Sequence, residues 1–285
     1  MKQIEELLTK EYLAKLGEMT IRLKGRLRTD GYSGSRRSVA KGSSLEFSDF
    51  REYQQGDELR RVDWNGYARF GRLYVKEFLE EKQAAIHLFL DCSRSMDFHD
   101  KFPVAKALAA SLAYVGLYGG DGVHILPFDA HLKEKHTLAQ KGQFAKGVSF
   151  LSALQAEGST EPLQAVRESG RLQKGISIVI SDFMVQEKAE DAVKLLQEKK
   201  QEVLLVQVLS KEEISPKVGG MVRLVDQETG EKRDLELTPQ AVAAYGKALR
   251  KQKTDWEGFC RKRDVGFYRM DEETSLLQAV YDILK

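Results

Sequence analysis

A chain of 285 residues with 42% hydrophobic content can bury one large core or two smaller ones, which excludes disorder throughout and favours one α/β domain with an appended region. Its 45 basic and 43 acidic residues leave a net charge of +2, so no whole-molecule field draws it to nucleic acid and any electrostatic partner must be engaged locally. The only cysteines, Cys92 and Cys260, lie far apart without CxxC spacing, which argues against a disulfide framework or structural zinc and points to a reducing compartment.

At the start of the chain, Ile4, Leu7, Leu8, Glu11 and Tyr12 recur at helical spacing. The first fifteen residues mix charges with Leu7, Leu8 and Leu13, unlike the order of a signal peptide. No stretch approaches the roughly 20 apolar residues of a membrane span, so a soluble, cytoplasmic protein is expected. Residues 22–41 then carry Arg22, Lys24, Arg26, Arg28, Arg36, Arg37 and Lys41 against a single acid, Asp30. Such a segment either tracks phosphates, making the chain a nucleic-acid-associated adaptor, or forms a solvated, charge-protected loop or edge strand. With aromatic interleaving limited to Tyr32, nucleic acid is the less favoured partner. Further on, Gly56-Asp57 suits a tight turn, and alternation at Leu73, Val75 and Phe78 suits a strand. Trp64 reads as a core or domain-interface anchor. Arg51, Asp57, Arg60, Asp63 and Arg69 read as either a bracing charge network or a docking surface.

From about residue 84 the pattern changes to short apolar strands alternating with helices: strand 84–90, helix 103–118, strand 123–128, a helix from Thr160, strand 176–181, helix 187–200 and strand 203–209. Such alternation implies a mostly parallel sheet, doubly wound, with helices on both faces and right-handed crossovers. Segments 222–226 and 232–237 flank a turn-like 227–231 and predict an inserted β-hairpin. Thr238 caps and Pro239 opens a helix toward Arg263, followed by a short strand over 265–269 and a helix over 275–284. The expected plan is an N-terminal region over 1–80, with a helix, the basic segment and short strands, and an α/β domain over 81–285 with its hairpin at about 222–237.

Chemistry concentrates at Asp91-Cys92-Ser93-Arg94-Ser95, directly after the first parallel strand, where open α/β sheets bind ligands. Asp91, Ser93 and Ser95 alternate, so a tight turn can bring one carboxylate and two hydroxyls to a common point. Gly158-Ser159-Thr160 places a hydroxyl before a helix, and Ser181-Asp182 places a carboxylate at the end of another strand. All offer the oxygen that hard cations require. The bland alternative makes Thr160 only a helix cap and Asp182 a loop former. Enzyme readings fare worse: G-x-S-x-G, HExxH and phosphate-loop motifs are missing, and Gly119-Gly120-Asp121-Gly122 follows a helix instead of preceding one. His87, His99, His124, His131 and His136 are scattered. A phosphatase of the haloacid-dehalogenase type would carry a second aspartate two places after Asp91, where Ser93 stands.

From roughly residue 84 to the end, the order Asp91, Ser93, Ser95, Thr160, Asp182 resembles the metal-ion-dependent adhesion site of von Willebrand factor A and integrin inserted domains. The resemblance implies that Ser93, Ser95 and Thr160 would bind Mg²⁺ or Mn²⁺ directly or through water, while Asp91 and Asp182 mostly hold waters. Upstream, Phe47, Arg51, Tyr53, Gly56-Asp57, Arg60, Val62-Asp63-Trp64, Ala68-Arg69, Leu73 and Val75-Lys76-Glu77-Phe78 resemble the signature of the domain of unknown function 58 family, in which this segment precedes a von Willebrand A-like domain. That likeness implies a non-enzymatic adaptor. A MoxR-type AAA+ ATPase would be one partner and a client protein the other, with a partner Asp or Glu carboxylate completing the metal's coordination.

Overall fold

The computed structural model describes residues 4–18, 37–38, 45–81, 85–184, 186–216, 220–225 and 232–285. Contacts divide the chain into two compact units, residues 24–83 and the combination of 1–23 with 84–285. The N-terminal stretch thus belongs with the α/β unit, and the boundary near residue 80 falls at 83. The stretch holds two helices, α1 (Ile4–Leu7) and α2 (residues 10–18), because Thr9 interrupts it and its hydroxyl accepts the Tyr12 N–H at 3.2 Å. Ile4, Leu8 and Leu16 are buried in the α/β core.

In residues 24–83, β1 (Arg37–Ser38), β2 (Leu45–Glu52) and β3 (Tyr74–Glu81) form an antiparallel sheet in the order β1-β3-β2. Between β2 and β3 lies the short helix α3 (Trp64–Phe70), ended by Gly71 in the left-handed region at φ 67°. Arg51 grips Asp57 with two hydrogen bonds of 2.7 and 2.6 Å, and Asp57 also accepts the Gln54 N–H, closing the expected turn. That pair, with its guanidinium beside the carboxylate, holds the Asp57 carboxyl down at about 2. Trp64 is 54% exposed, with Tyr67 edge-on to its ring, and is no core anchor of this unit. Apart from the backbone of Arg37–Ser38, the basic 22–41 segment lies outside the described residues.

The α/β unit is built on β4 (Ala85–Asp91), α4 (Lys101–Gly119), β5 (Gly122–Phe128), β6 (His136–Leu138), α5 (Phe144–Ala153), α6 (Pro162–Glu168), β7 (Gly175–Ser181), α7 (Gln186–Glu198), β8 (Gln201–Leu209) and α8 (Lys211–Ile214). It continues through β9 (Met221–Val225), β10 (Lys232–Glu236), α9 (Pro239–Arg263), β11 (Gly266–Asp271) and α10 (Leu276–Leu284). Six strands align as β11-β8-β7-β4-β5-β6, parallel except for β6. Their alternate residues feed two cores. Leu88, Leu90, Ile125, Ile180 and Val208 pack with α4 and α10 on one face, while Phe89, Leu126, Val179 and Leu205 pack with α6, α7 and α9 on the other.

Central β4 connects outward to β5 and β6, whereas β7, on its other flank, connects outward to β8. The carboxyl ends of β4 and β7 therefore flank the switch point, where the sheet opens a crevice. Helix α4 is predominantly apolar and buries most of its residues. By length and composition it could cross a membrane, contrary to the expectation that no stretch approached that length. Its role in this unit is that of a central core helix. Strand β6 and helix α5 were not anticipated. The hairpin expected near 222–237 forms from β9 and β10, where Arg223 grips Asp234 with bonds of 2.6 and 2.8 Å; its turn lies outside the described residues.

Candidate metal centre

Three loops meet where β4, β5 and β7 end. The Cys92 N–H donates to the Phe128 carbonyl at 2.7 Å, the Glu157 N–H to the Cys92 carbonyl at 2.7 Å, and the Arg94 N–H to the Gly158 carbonyl at 3.0 Å. These backbone bonds bring the segment that carries Thr160 against the turn that carries Ser93 and Ser95. Gly158 sits at φ 75°, a conformation that side-chain-bearing residues rarely adopt, so glycine lets the chain turn there. Helix α6 starts at Pro162 with Glu161 as its N-cap. Thr160 is therefore not the cap of that helix, and its hydroxyl is directed to the cluster.

Asp91 is the hub of that cluster. One of its oxygens accepts the Ser93 N–H at 2.9 Å; the other accepts both the Thr160 hydroxyl at 2.9 Å and the Ser181 hydroxyl at 2.6 Å. The Ser93 and Ser95 hydroxyls lie 3.1 Å apart. Asp91, Ser93 and Asp182 are buried. Burial, and then the charge of neighbouring Asp182, push the Asp91 carboxyl above the usual range, while the Ser181 and Ser93 hydrogen bonds oppose the rise.

Asp182 lies beside this hub with its own partners. One oxygen accepts the Met184 N–H at 3.2 Å, and the other accepts the ammonium of Lys101 at 3.2 Å. Lys101 also donates to Glu213 at 2.8 Å and is completely buried. Ser181, Lys101 and Glu213 were missed in reading the sequence. Lys101 had one visible sign: it immediately precedes an apolar run, so a helix buried on every side carries its first residue inward too.

The donor set suits a hard divalent cation, since Ser93, Ser95 and Thr160 offer hydroxyl oxygens with the Asp91 and Asp182 carboxylates behind them. Among the described residues no group of three His, Cys, Asp or Glu side chains is placed to hold a metal, so an ion here would rest on hydroxyls. Burial pushes the Cys92 and Cys260 thiols up to about 12, which keeps both protonated. His87 and His124 stack within the sheet, their ring centroids 4.9 Å apart.

Residues 49–255, which include the whole cluster, match the family described as Protein of unknown function DUF58. The chain belongs to this family. Similar lengths of sequence occur in the uncharacterized protein Rv1480 of Mycobacterium tuberculosis (strain ATCC 25618 / H37Rv) and the uncharacterized protein Mb1516 of Mycobacterium bovis. Each is 26% identical over 256 residues, covering 83% of this chain and 78% of the relative. Among solved structures, the conserved hypothetical protein BatB of Bacteroides thetaiotaomicron is 20% identical at a TM-score of 0.43, covering 70% of this chain and 97% of that one. An aerotolerance-related membrane protein of Bacteroides fragilis NCTC 9343 is 16% identical at 0.44, covering 70% and 98%. Both likenesses are too loose to carry an argument.

Proposed function

We propose that this DUF58 protein is a non-enzymatic binding adaptor whose α/β unit is von Willebrand factor A-like and holds Mg²⁺ or Mn²⁺ at a metal-ion-dependent adhesion site. One observation supports the reading: Thr160 donates its hydroxyl to Asp91, beside paired Ser93 and Ser95 hydroxyls at the sheet's switch point. In this reading Ser93, Ser95 and Thr160 hold the ion, and Asp91 and Asp182 orient its surroundings. The ion would supply Lewis acidity toward an anionic oxygen. Neutral hydroxyl donors leave most of its charge unneutralised, which favours an Asp or Glu carboxylate from a partner. A cytoplasmic MoxR-type AAA+ ATPase and its client are the proposed partners, the ATPase supplying the hydrolysis for which this chain lacks motifs.

The test is affinity purification of the tagged full chain from its host, with Mg²⁺ or with EDTA, alongside Thr160→Val. An AAA+ ATPase retained by wild type in Mg²⁺ and lost in both EDTA and the variant is the expected result. Retention that ignores EDTA and the variant alike would refute a metal-mediated contact.

A further inference from the structure

Lys101 stands in an electrostatically adverse place. It is the first residue of α4, where the helix dipole already concentrates positive charge, and its side chain is shut off from water. Such an ammonium persists only where anions surround it. Here Asp182 accepts at 3.2 Å and Glu213 at 2.8 Å, and the ring of Phe98 lies 5.9 Å from the nitrogen. Glu213 is itself held, its other oxygen accepting the Ser210 N–H at 2.6 Å while its own N–H donates to the Ser210 hydroxyl at 3.0 Å. One ammonium thus joins the carboxylate beside the oxygen cluster to the start of α8.

We infer that Lys101 is a resident cation of this site: it neutralises Asp182 from behind, so the α/β unit assembles without a metal ion and binds one reversibly. This inference rests on the metal-centre reading. Without the ammonium, buried Asp182 and partly buried Glu213 would lose their shared counter-charge beside Asp91, and a divalent cation would come to stabilise the fold. With it, the ion enters a pocket whose outer carboxylate is already engaged by Lys101 and by the Met184 N–H. Repulsion between ammonium and ion then weakens metal affinity, which suits loading that responds to a partner. Lys101 is accordingly a positioning residue, acting on the ion through Asp182.

The experiment follows thermal unfolding and Mn²⁺ titration calorimetry of the full-length wild type, Lys101→Met and Lys101→Met/Asp182→Asn. Wild type should be fully folded in EDTA and melt higher in Mn²⁺ only by the modest increment that its own Mn²⁺ affinity dictates. Lys101→Met should melt lower in EDTA, regain most of the loss in Mn²⁺, and bind Mn²⁺ about tenfold more tightly, because a buried like charge has been removed. The double variant, which loses both members of the pair, should show no such metal rescue. If wild type binds Mn²⁺ and Lys101→Met has the same affinity and the same metal response, the resident-cation assignment is wrong while the metal centre stands. If wild type binds no Mn²⁺ at all, the metal centre itself falls. If Lys101→Met folds in neither condition, folding of the double variant supports charge compensation, and its failure shows that the packing of the lysine stem is what matters.

Discussion

Two side chains in the α/β sheet illustrate opposite uses of a buried polar group. Asp91 is satisfied on both oxygens by Ser93, Thr160 and Ser181, so its burial is compensated and its position set. His87, 3% exposed, donates from Nε2 to the Gln173 carbonyl at 3.0 Å, while its Nδ1 has no partner among the described residues. Burial holds the His87 imidazole down at about 4, against an ordinary value of 6.5. The folded state therefore binds fewer protons than the unfolded one. His87 leaves stability intact above about pH 6.5 and costs about 2–3 kcal/mol as the pH falls to about 4.5. Urea unfolding at a series of pH values should show that loss in wild type and a shallower decline in His87→Gln. Parallel curves would refute the assignment. The five residues proposed for the metal site stand out in the sequence because they follow strands or precede helices in a recognisable order. Lys101 and Glu213 do not, because their roles depend on which way α4 and α8 aim their first turns, and Ser181 does not, because its hydroxyl finds Asp91 only once β7 pairs with β4.

At the scale of elements, the apolar runs of β4, β5, β7 and β8 announced themselves because strands buried on both faces need apolar residues at nearly every position. Strand β6 has only three residues, too few to show a period, and α5 buries only Gly147 and Leu151 among its ten residues. The N-terminal helical spacing was visible, yet nothing local marked where it docks. Leu16 is fully buried, and the Tyr12 hydroxyl lies 2.7 Å from that of Ser111 on α4, so α2 is part of the α/β fold. Leu16→Ala should consequently cost about 2–5 kcal/mol in the chemical-unfolding transition of the α/β unit. A loss below about 0.5 kcal/mol, the size of a surface substitution, would contradict that docking.

Across the whole molecule, near-neutral charge leaves recognition to local sites, and the doubly wound sheet concentrates hydroxyl and carboxylate oxygens at one edge. The α/β class followed from the alternation of elements. The division of the chain did not, since residues 1–23 and 84–285 form one unit around an intervening 60-residue segment whose own pattern gave no hint of the bracket. Of the residues singled out by their order in the sequence, Asp91 bonds Ser93 and Thr160, Ser95 lies beside Ser93, and Asp182 is held by Lys101. The most direct measurement is calorimetric titration of Mn²⁺ into the full chain and into Ser93→Ala/Ser95→Ala, with unfolding curves to show that both are folded. The account predicts saturable 1:1 binding to wild type, weakened at least about 100-fold in the variant by loss of two donor oxygens. Equal affinity in the two folded proteins, or no binding to wild type, would contradict it.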